Sequence, residues 1–171
     1  MPVIAPRYVG VIGGRTCGAE IGELACQVGA EIARRGWVLV CGGMGGVMQE
    51  ACRGARSAGG VTLGILPGHS RAEGNPYLSY SIITGLGEAR NVLVARNSEA
   101  LIAVAGGYGT LSEIALANNA RLPVVGLRSW KLKAEDNSGL GLFSLETEDP
   151  AEAVRFLAKY FAERRGPGVW A

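Results

Sequence analysis

The chain has 171 residues, of which 48% are hydrophobic and 19% are charged, and its formal net charge is +2. This length is typical of one domain, so residues 1–171 are expected to fold as a unit, and the apolar content excludes intrinsic disorder. The 14 arginines and 3 lysines are scattered along the chain, which disfavours nucleic-acid binding, because duplex recognition needs a concentrated basic face.

Short apolar runs alternate with amphipathic stretches through the first half of the chain. Apolar residues at 21, 24, 28 and 32 form one stripe, which predicts a helix over 19–35. The run WVLVC at 37–41 is apolar throughout, as expected of a strand that is covered on both faces. The predicted order is strand 8–13, helix 19–35, strand 37–41, helix 46–58 and strand 61–66.

The same alternation continues through the second half. We predict a strand at 79–84, a helix at 88–97, a strand at 100–105, a helix at 110–119, a strand at 123–127 and a closing helix at 149–163. A polar segment at 131–141 predicts a mobile loop, and residues 142–145 are compatible with an added edge strand. The tail at 166–171 contains Pro167 and is expected to fray.

Strands that alternate with helices in this way predict an α/β fold. Right-handed crossovers then produce a doubly wound, mostly parallel sheet with helices on both faces, a Rossmann-like three-layer sandwich. We expect the fourth strand to lie beside the first and the fifth. In such a sheet, ligands bind beyond the carboxyl ends of the strands.

Neither a membrane segment nor an export signal is predicted. No stretch reaches the roughly 18–20 consecutive apolar residues of a membrane-spanning helix. The N-terminus, MPVIAPRYVGVIGG, lacks the charged start and the cleavage pattern of a signal peptide. We therefore expect a cytoplasmic protein that makes no contact with a membrane.

Glycine clusters follow three of the predicted strands. They read GGRTCG at 13–18, GGMGG at 42–46 and GGYGT at 106–110. Glycine lets the backbone approach a ligand closely, and the helix that starts after each turn offers unpaired N–H groups that suit a phosphate. The predicted binding residues are Gly13, Gly14, Gly43, Gly45, Gly46, Gly106, Gly107, Tyr108, Gly109 and Thr110.

Two common phosphate-binding motifs are absent from these turns. No turn is followed by the Lys-Ser/Thr pair of a Walker motif, and the first turn lacks the G-x-G-x-x-G dinucleotide fingerprint. Cys41 stands where a dinucleotide enzyme has an acidic residue for the ribose. We therefore expect a small, mononucleotide-sized ligand and no NAD or FAD cofactor.

The cysteines do not predict a metal centre. Cys17, Cys26, Cys41 and Cys52 form no C-x-x-C pair, and His69 is the only histidine, so zinc is not expected. In a reducing compartment the thiols are expected to pack as small hydrophobic groups, without disulfides. Cys41 adjoins a glycine turn and is the one candidate for a reactive thiol, although packing is the favoured role.

Glu113 and Arg90 are the candidates for chemistry, and each has a second interpretation. Thr110 and Glu113 have the T-x-x-E spacing of a capping box, in which the glutamate only caps a helix that begins at Thr110. The same spacing places a carboxylate one helical turn from a phosphate cradle. Arg90 opens a helix at the ligand edge, where it is either a phosphate clamp or a solvated side chain.

The remaining candidate residues have weaker signals. His69 and Arg15 lie in loops at the ligand edge, and exposure to solvent explains both. Met44 and Met48 flank the second glycine turn and are expected to pack. Tyr108 stands between glycines, where it either stacks on a ligand or covers a neighbouring subunit.

Two segments identify a family resemblance. VCGGMGGVMQEACRGA at 40–55 and GGYGTLSEIALA at 106–117 resemble the LOG-like family, whose older label is "possible lysine decarboxylase" and which includes nucleoside monophosphate phosphoribohydrolases. The branch that it resembles most also contains molybdenum cofactor carrier proteins. The likeness runs from the first predicted strand to the sixth.

The resemblance assigns roles to particular residues. The signature P-G-G-x-G-T-x-x-E places phosphate and ribose contacts on Gly106, Gly107, Gly109 and Thr110, and a catalytic carboxylate on Glu113. The family's upstream catalytic arginine falls on Arg90. The chain departs from the hydrolase pattern at Ala105, where the signature has proline, and at Asn91, where E-R-K reads A-R-N.

The resemblance also implies an assembly and leaves two functions open. It implies a homodimer or a larger homo-oligomer, with the site near the subunit contact. One hypothesis is a hydrolase that cleaves a nucleoside 5′-monophosphate into free base and ribose 5-phosphate. The alternative is a non-catalytic carrier of molybdenum cofactor or of another phosphorylated, nucleotide-like ligand.

The older decarboxylase label does not fit the residues. Pyridoxal phosphate chemistry needs a lysine Schiff base in an enclosed site. The three lysines, Lys131, Lys133 and Lys159, fall in the polar loop and the terminal helix. None of them is expected at the ligand edge.

Overall fold

The structure is a computed structural model that describes residues 6–131 and 141–164. Seven strands form one sheet in which every neighbouring pair is parallel, in the order β4-β3-β2-β1-β5-β6-β7. This confirms the predicted α/β class. The strands are β1 (Tyr8–Gly13), β2 (Val38–Cys41), β3 (Val61–Leu66), β4 (Tyr80–Ile83), β5 (Ala100–Val104), β6 (Val124–Leu127) and β7 (Leu145–Thr147).

Five α-helices and two short 3-10 turns accompany the strands in the described part of the chain. The helices differ from their predicted bounds by no more than three residues at either end. None of the helices in the described ranges has the length and apolar character that crossing a bilayer requires. The helices are α1 (Ala19–Arg34), α2 (Val47–Ser57), α3 (Asn91–Arg96), α4 (Tyr108–Asn119) and α5 (Pro150–Glu163), and the 3-10 turns are Arg71–Glu73 and Gly87–Arg90.

Alternation of side chains along the strands builds two cores, one on each face of the sheet. Val9 and Val11 of β1 point to the face covered by α1, α2 and α5, whereas Ile12 points to the face covered by α3 and α4. Successive residues of a strand face opposite sides, so a strand between two helical layers is apolar throughout. The three-layer sandwich predicted from the sequence is therefore confirmed.

The position of β4 differs from the prediction. We expected the fourth strand beside the first and the fifth, but β4 lies at the edge of the sheet and pairs only with β3. β1 and β5 are direct neighbours instead. The chain segment through Gly87–Arg90 and α3 therefore returns from the edge of the sheet to its centre.

Other differences concern the end of the chain. The added edge strand is present, but it is β7 at Leu145–Thr147 and starts where the predicted strand ends. It pairs with β6 in parallel. The predicted mobile loop at 131–141 falls almost wholly outside the described residues, and so does the predicted frayed tail at 166–171.

The strand order places the point of reversal at β1 and β5. From β1 the sheet grows through β2 to β4 on one side, and from β5 through β6 to β7 on the other. Crossovers leave β1 and β5 in opposite directions, which opens a crevice at their carboxyl ends, where doubly wound sheets bind ligands. The first and third glycine clusters follow these two strands.

Candidate functional site

An open cavity of about 570 Å³ lies at the carboxyl ends of β1 and β5. Three segments form its wall: the first glycine turn, the stretch from the Gly87–Arg90 turn into α3, and the first turns of α4. One side chain of α2 completes it. The lining residues are Gly13, Gly14, Arg15, Met48, Glu88, Arg90, Asn91, Gly107, Tyr108, Gly109, Thr110, Ser112 and Glu113.

A buried ion pair stands at the wall of this cavity. Arg90 is the last residue of the 3-10 turn before α3, and Glu113 lies in α4. Nη1 of Arg90 is 3.5 Å from Oε1 of Glu113. Their side chains are only 4% and 7% exposed. A buried pair of charges is weak support for stability, because desolvation offsets the attraction. The pair is therefore a candidate for chemistry.

Burial sets the protonation of the two groups. Desolvation raises the pKa of the Glu113 carboxyl to about 7, while the charge of Arg90 acts against this rise and that of Glu88 adds to it. Burial lowers the pKa of Arg90, but an arginine side chain stays cationic at neutral pH. Near pH 7, Glu113 is thus able both to accept and to release a proton, as a general base or acid requires.

The polar neighbours of Arg90 bind its Nη1 atom and leave its Nε atom without a hydrogen bond. Nη1 of Arg90 donates to Oδ1 of Asn91 at 2.8 Å, and Nδ2 of Asn91 donates to Oγ of Ser112 at 3.0 Å. Nε of Arg90 is buried and has no hydrogen-bond partner in the part of the chain that the structure describes. A buried donor without a partner lowers the stability of the folded state by about 1–3 kcal/mol.

Gly42 makes room for the Arg90 guanidinium. A Cβ at position 42 would lie 2.6 Å from Cζ of Arg90, so a side chain there would displace the guanidinium from its present place. Gly42 follows β2 directly, so the start of the second glycine turn lies against the Arg90 guanidinium. Its role is therefore to pack against Arg90.

The first turn of α4 presents backbone amides to the cavity. Gly107 is the N-cap, in an extended conformation, and no side chain caps the helix. The first N–H groups of a helix have no intrahelical partner and lie at the positive end of its dipole. A phosphate or a carboxylate is the group that such a site binds best.

The capping-box interpretation of Glu113 is wrong. α4 begins at Tyr108, two residues before the predicted start, so Thr110 lies inside the first turn and does not cap it. Glu113 consequently has no N-cap amide to reach and pairs with Arg90. The chain does contain a capping box at Ser70 and Glu73, which the sequence analysis missed.

The mouth of the cavity carries charge and aromatic surface. Arg15 and Glu88 form an exposed ion pair at 2.7 Å. Tyr108 is 85% exposed and its ring lies 6.0 Å from that of Trp130. Nε1 of Trp130 donates to the carbonyl oxygen of Gly107 at 3.3 Å. The aromatic pair therefore adjoins the exposed amides of α4.

Most of the binding residues predicted from the sequence come together, and four do not. Arg90 and Glu113 share the cavity wall with Gly13, Gly14, Gly107, Tyr108, Gly109 and Thr110. The predicted residues that do not line this cavity are Gly43, Gly45, Gly46 and Gly106.

Two of these four glycines have another place in the structure. The carbonyl oxygen of Gly43 accepts hydrogen bonds from the backbone and the side chain of Asn75. Gly46 lines an adjacent cavity of about 550 Å³, which Arg15 also lines. The second glycine turn therefore lies beside the Arg90 cavity.

Of the weaker candidates, Arg15, Met48 and Tyr108 line the Arg90 cavity, and His69 and Met44 do not. Arg15 reaches its rim, and Met48 lines it although the side chain is only 4% exposed. His69 packs near Gly85, away from the Arg90 cavity. Met44 does not line the cavity and packs against the core beside α2.

The four cysteines are free thiols. Cys41 and Cys52 are buried, and their sulfur atoms lie 3.5 Å apart, at hydrogen-bond distance. The contact to Cys52 and the N–H of Gly43 lower the pKa of Cys41. Within residues 6–131 and 141–164, no three His, Cys, Asp or Glu side chains are grouped so as to bind a metal ion.

Sequence reasoning missed three polar or packing residues of the site. Gly42, Asn91 and Ser112 all support Arg90 directly or through one neighbour. Asn91 follows Arg90 in the chain, and Ser112 precedes Glu113. In the sequence, Gly42 stood out only as part of a glycine turn and Asn91 only as a departure from the family pattern. Neither signal pointed to a contact with Arg90, because contacts between distant segments are not visible in a local pattern.

Known proteins are similar to this chain in sequence and in structure. A family model described as the SLOG cluster4 family matches residues 6–154. A cytokinin riboside 5′-monophosphate phosphoribohydrolase of Mycobacterium tuberculosis is 40% identical over 100 residues, which cover 56% of this chain and 53% of that protein. The chain thus spans about half the length of this curated relative.

Two solved structures match more than nine-tenths of the chain. The molybdenum cofactor binding protein of the phototrophic bacterium Rippkaea orientalis has a TM-score of 0.84 and 32% sequence identity, and the match covers 92% of this chain and 99% of that one. A Moco carrier protein of Chlamydomonas reinhardtii has a TM-score of 0.81 and 35% identity, with coverage of 93% and 99%.

Proposed function

The chain belongs to the SLOG cluster4 family, and on that premise we propose that it hydrolyses the N-glycosidic bond of a nucleoside 5′-monophosphate, releasing the free base and ribose 5-phosphate. The observation that carries this proposal is the buried Arg90–Glu113 pair beside the exposed amides of α4. The similarity to a phosphoribohydrolase over half the chain supports it.

The amides of α4 would bind the 5′-phosphate. Gly107 and Gly109 line the cavity and have no side chain to block the approach of an anion to the helix start. Binding energy from this remote group would align the sugar with the reacting residues. Exposed Tyr108 is placed to contact the ligand at the mouth of the cavity.

Glu113 and Arg90 would carry out the bond cleavage. Breaking the bond between C1′ and the base nitrogen leaves an oxocarbenium-like sugar, which an ionised Glu113 stabilises. Glu113 then accepts a proton from the water that attacks C1′, and the departing base takes up a proton. Arg90 would hold the substrate and favour the build-up of negative charge on the base.

Hydrolysis is tested by incubating the protein with AMP, GMP, CMP and UMP and measuring the free base by chromatography. We expect release from at least one of them, and a loss of about 100-fold or more for Glu113→Gln, because general-base catalysis contributes at least this much. Glu163→Gln, the same change at an exposed position of α5, is the control and should retain activity. No base from any substrate, or equal release by Glu113→Gln, would contradict the proposal.

A carrier function is the second candidate, and one observation favours it. The molybdenum cofactor binding and carrier proteins match more than nine-tenths of this chain, whereas the phosphoribohydrolase matches about half. The same amides would bind the phosphate of a phosphorylated pterin, and Glu113 would not react. Purified protein that yields the fluorescent oxidation product of molybdopterin, and that releases no base from nucleotides, would favour the carrier.

A further inference from the structure

We infer that Asn91 is a positioning residue, which holds the Arg90 guanidinium beside Glu113 by joining it to the first turn of α4 through Ser112. This inference rests on the proposed function only for its effect on turnover. Asn91 is 7% exposed, so its polar side chain is buried with that of Arg90. Buried polar side chains need hydrogen-bond partners, and those of Asn91 lie in both walls of the cavity.

The hydrogen bond from Arg90 to Asn91 is shorter than the one from Arg90 to Glu113. Nη1 of Arg90 lies 2.8 Å from Oδ1 of Asn91 but 3.5 Å from Oε1 of Glu113. The first is a full hydrogen bond, whereas the second is at the limit of the distance range. Asn91, more than Glu113, therefore determines where the guanidinium lies.

The Asn91 side chain is itself held in one orientation. The hydroxyl of Ser112 donates to the carbonyl oxygen of Gly109 at 2.7 Å, which leaves its lone pairs to accept from Nδ2 of Asn91 at 3.0 Å. An asparagine has one donor end and one acceptor end. Because the donor end is bound to Ser112, the acceptor end faces Arg90.

Apart from the 3.5 Å contact with Glu113, no other hydrogen bond in the described residues holds the guanidinium at this place. Nε of Arg90 has no partner, and Nη2 packs against Gly42, which offers no side chain. Glu88, at the rim, attracts Arg90 as well. Without Asn91, the guanidinium is free to move away from Glu113 and towards Glu88.

The first readout is the titration of Glu113 in ligand-free protein. Carbon-13 NMR of the carboxyl groups follows its midpoint, and Glu113→Gln assigns the signal. The charged or titratable groups around Glu113 are Arg90, Glu88, Cys41 and, at the rim, Arg15.

Two variants remove the link from opposite ends. Asn91→Leu removes the hydrogen bonds of this side chain to Arg90, Ser112 and Gly109 at similar size. Ser112→Ala, at an exposed position, removes the 3.0 Å anchor of Asn91 and leaves its 3.5 Å bond to the carbonyl oxygen of Gly109. Losing the nearby cation should raise the midpoint of Glu113 by about 1 unit in Asn91→Leu, and by less in Ser112→Ala. Asn97→Leu is the control, because Asn97 bonds only to the Leu93 carbonyl of its own helix and should leave the midpoint unchanged.

The second readout is turnover of a nucleotide that the wild-type protein cleaves. We expect kcat to fall about 10-fold in Asn91→Leu with little change in KM, since the misplaced group acts on the sugar and not on the phosphate. Without cleavage by the wild type, the proposed function fails and the NMR result alone decides the role of Asn91. An unchanged Glu113 midpoint in folded Ser112→Ala and Asn91→Leu, or in Ser112→Ala alone if Asn91→Leu does not fold, would overturn the inference.

Discussion

Burial changes the pKa of the Glu113 carboxyl to a value near neutral pH. Removal from water raises its pKa to about 7, and the neighbouring Arg90 limits the rise. A carboxyl with an ordinary pKa would be a weaker base at neutral pH, since basicity falls with the pKa of the conjugate acid. The cost of this tuning falls on the stability of the fold, and it depends on pH.

The stability of the protein should decrease as the pH rises towards 7. The folded state holds a proton on Glu113 up to about pH 7, whereas the unfolded chain releases it near 4.5. Stability falls with pH wherever the folded state binds more protons, so the raised pKa costs about 3 kcal/mol across this window and nothing further above it.

Urea unfolding at pH 5, 6, 7 and 8 measures this cost. Glu113→Gln cannot ionise at this position, so its curve should lack the decrease that the wild type shows. All other groups titrate in both proteins and cancel in the difference. Parallel curves for the two proteins would show that the raised pKa is absent.

Ala105 explains one departure from the hydrolase signature. Its φ is +48°, and its N–H donates to the carbonyl oxygen of Leu127 at 2.9 Å. Proline fixes φ near −65° and has no N–H, so the signature proline cannot occupy this conformation. The turn after β5 therefore differs in backbone geometry from one that contains proline.

The residues of the site differed in how well the sequence predicted them. Arg90, Glu113 and the amides at 107–110 stand at spacings that a motif reveals, and the structure brings them to one cavity. Asn91 and Ser112 were missed because their roles arise from the packing of α3 against α4. Gly42 appeared in the second glycine turn, but its contact with Arg90 depends on a segment that is distant in the chain.

At the level of elements, periodicity predicted helices and strands better than their order in the sheet. β1 and β3 have the predicted bounds, because apolar runs between turns mark a buried strand clearly. The predicted place of β4 in the sheet was wrong, because an apolar pattern indicates that a strand is buried but not which strand lies beside it. The start of α4 was wrong because the glycines at 107 and 109 hide a helix that begins between them.

The contact between α1 and α2 gives a prediction for stability. A Cβ at Gly54 of α2 would lie 2.6 Å from the carbonyl carbon of Cys26 in α1, so the two backbones touch there. Gly54→Ala should lower the free energy of unfolding by about 1–3 kcal/mol, because it forces the helices apart. Denaturant unfolding provides the measurement.

Gly22→Ala in α1 is the matched control. Its Cβ would meet only the flexible side chain of Glu50, at 3.3 Å, and that of Cys17, at 3.6 Å. Alanine is favoured over glycine inside a helix by about 1 kcal/mol, so this variant should be as stable as the wild type or more so. Equal stability of Gly54→Ala and Gly22→Ala would contradict close backbone packing at Gly54.

At the scale of the whole molecule, the reversal of strand order positions the site. The crevice between β1 and β5 brings the first glycine turn, Arg90 and α4 together from segments almost 100 residues apart. The homodimer implied by the family resemblance stays a prediction. The exposed apolar side chains of Leu86, Val92 and Tyr108, on the segments that frame the cavity, are the kind of surface that a second subunit covers.

A crystal structure of the Glu113→Gln protein with bound AMP tests the central claim most directly. We predict that the phosphate accepts hydrogen bonds from backbone amides at the start of α4, between residues 107 and 110. We also predict that C1′ of the ribose faces residue 113 and Arg90. AMP bound in another cavity, or with its sugar turned away from residue 113, would contradict the account.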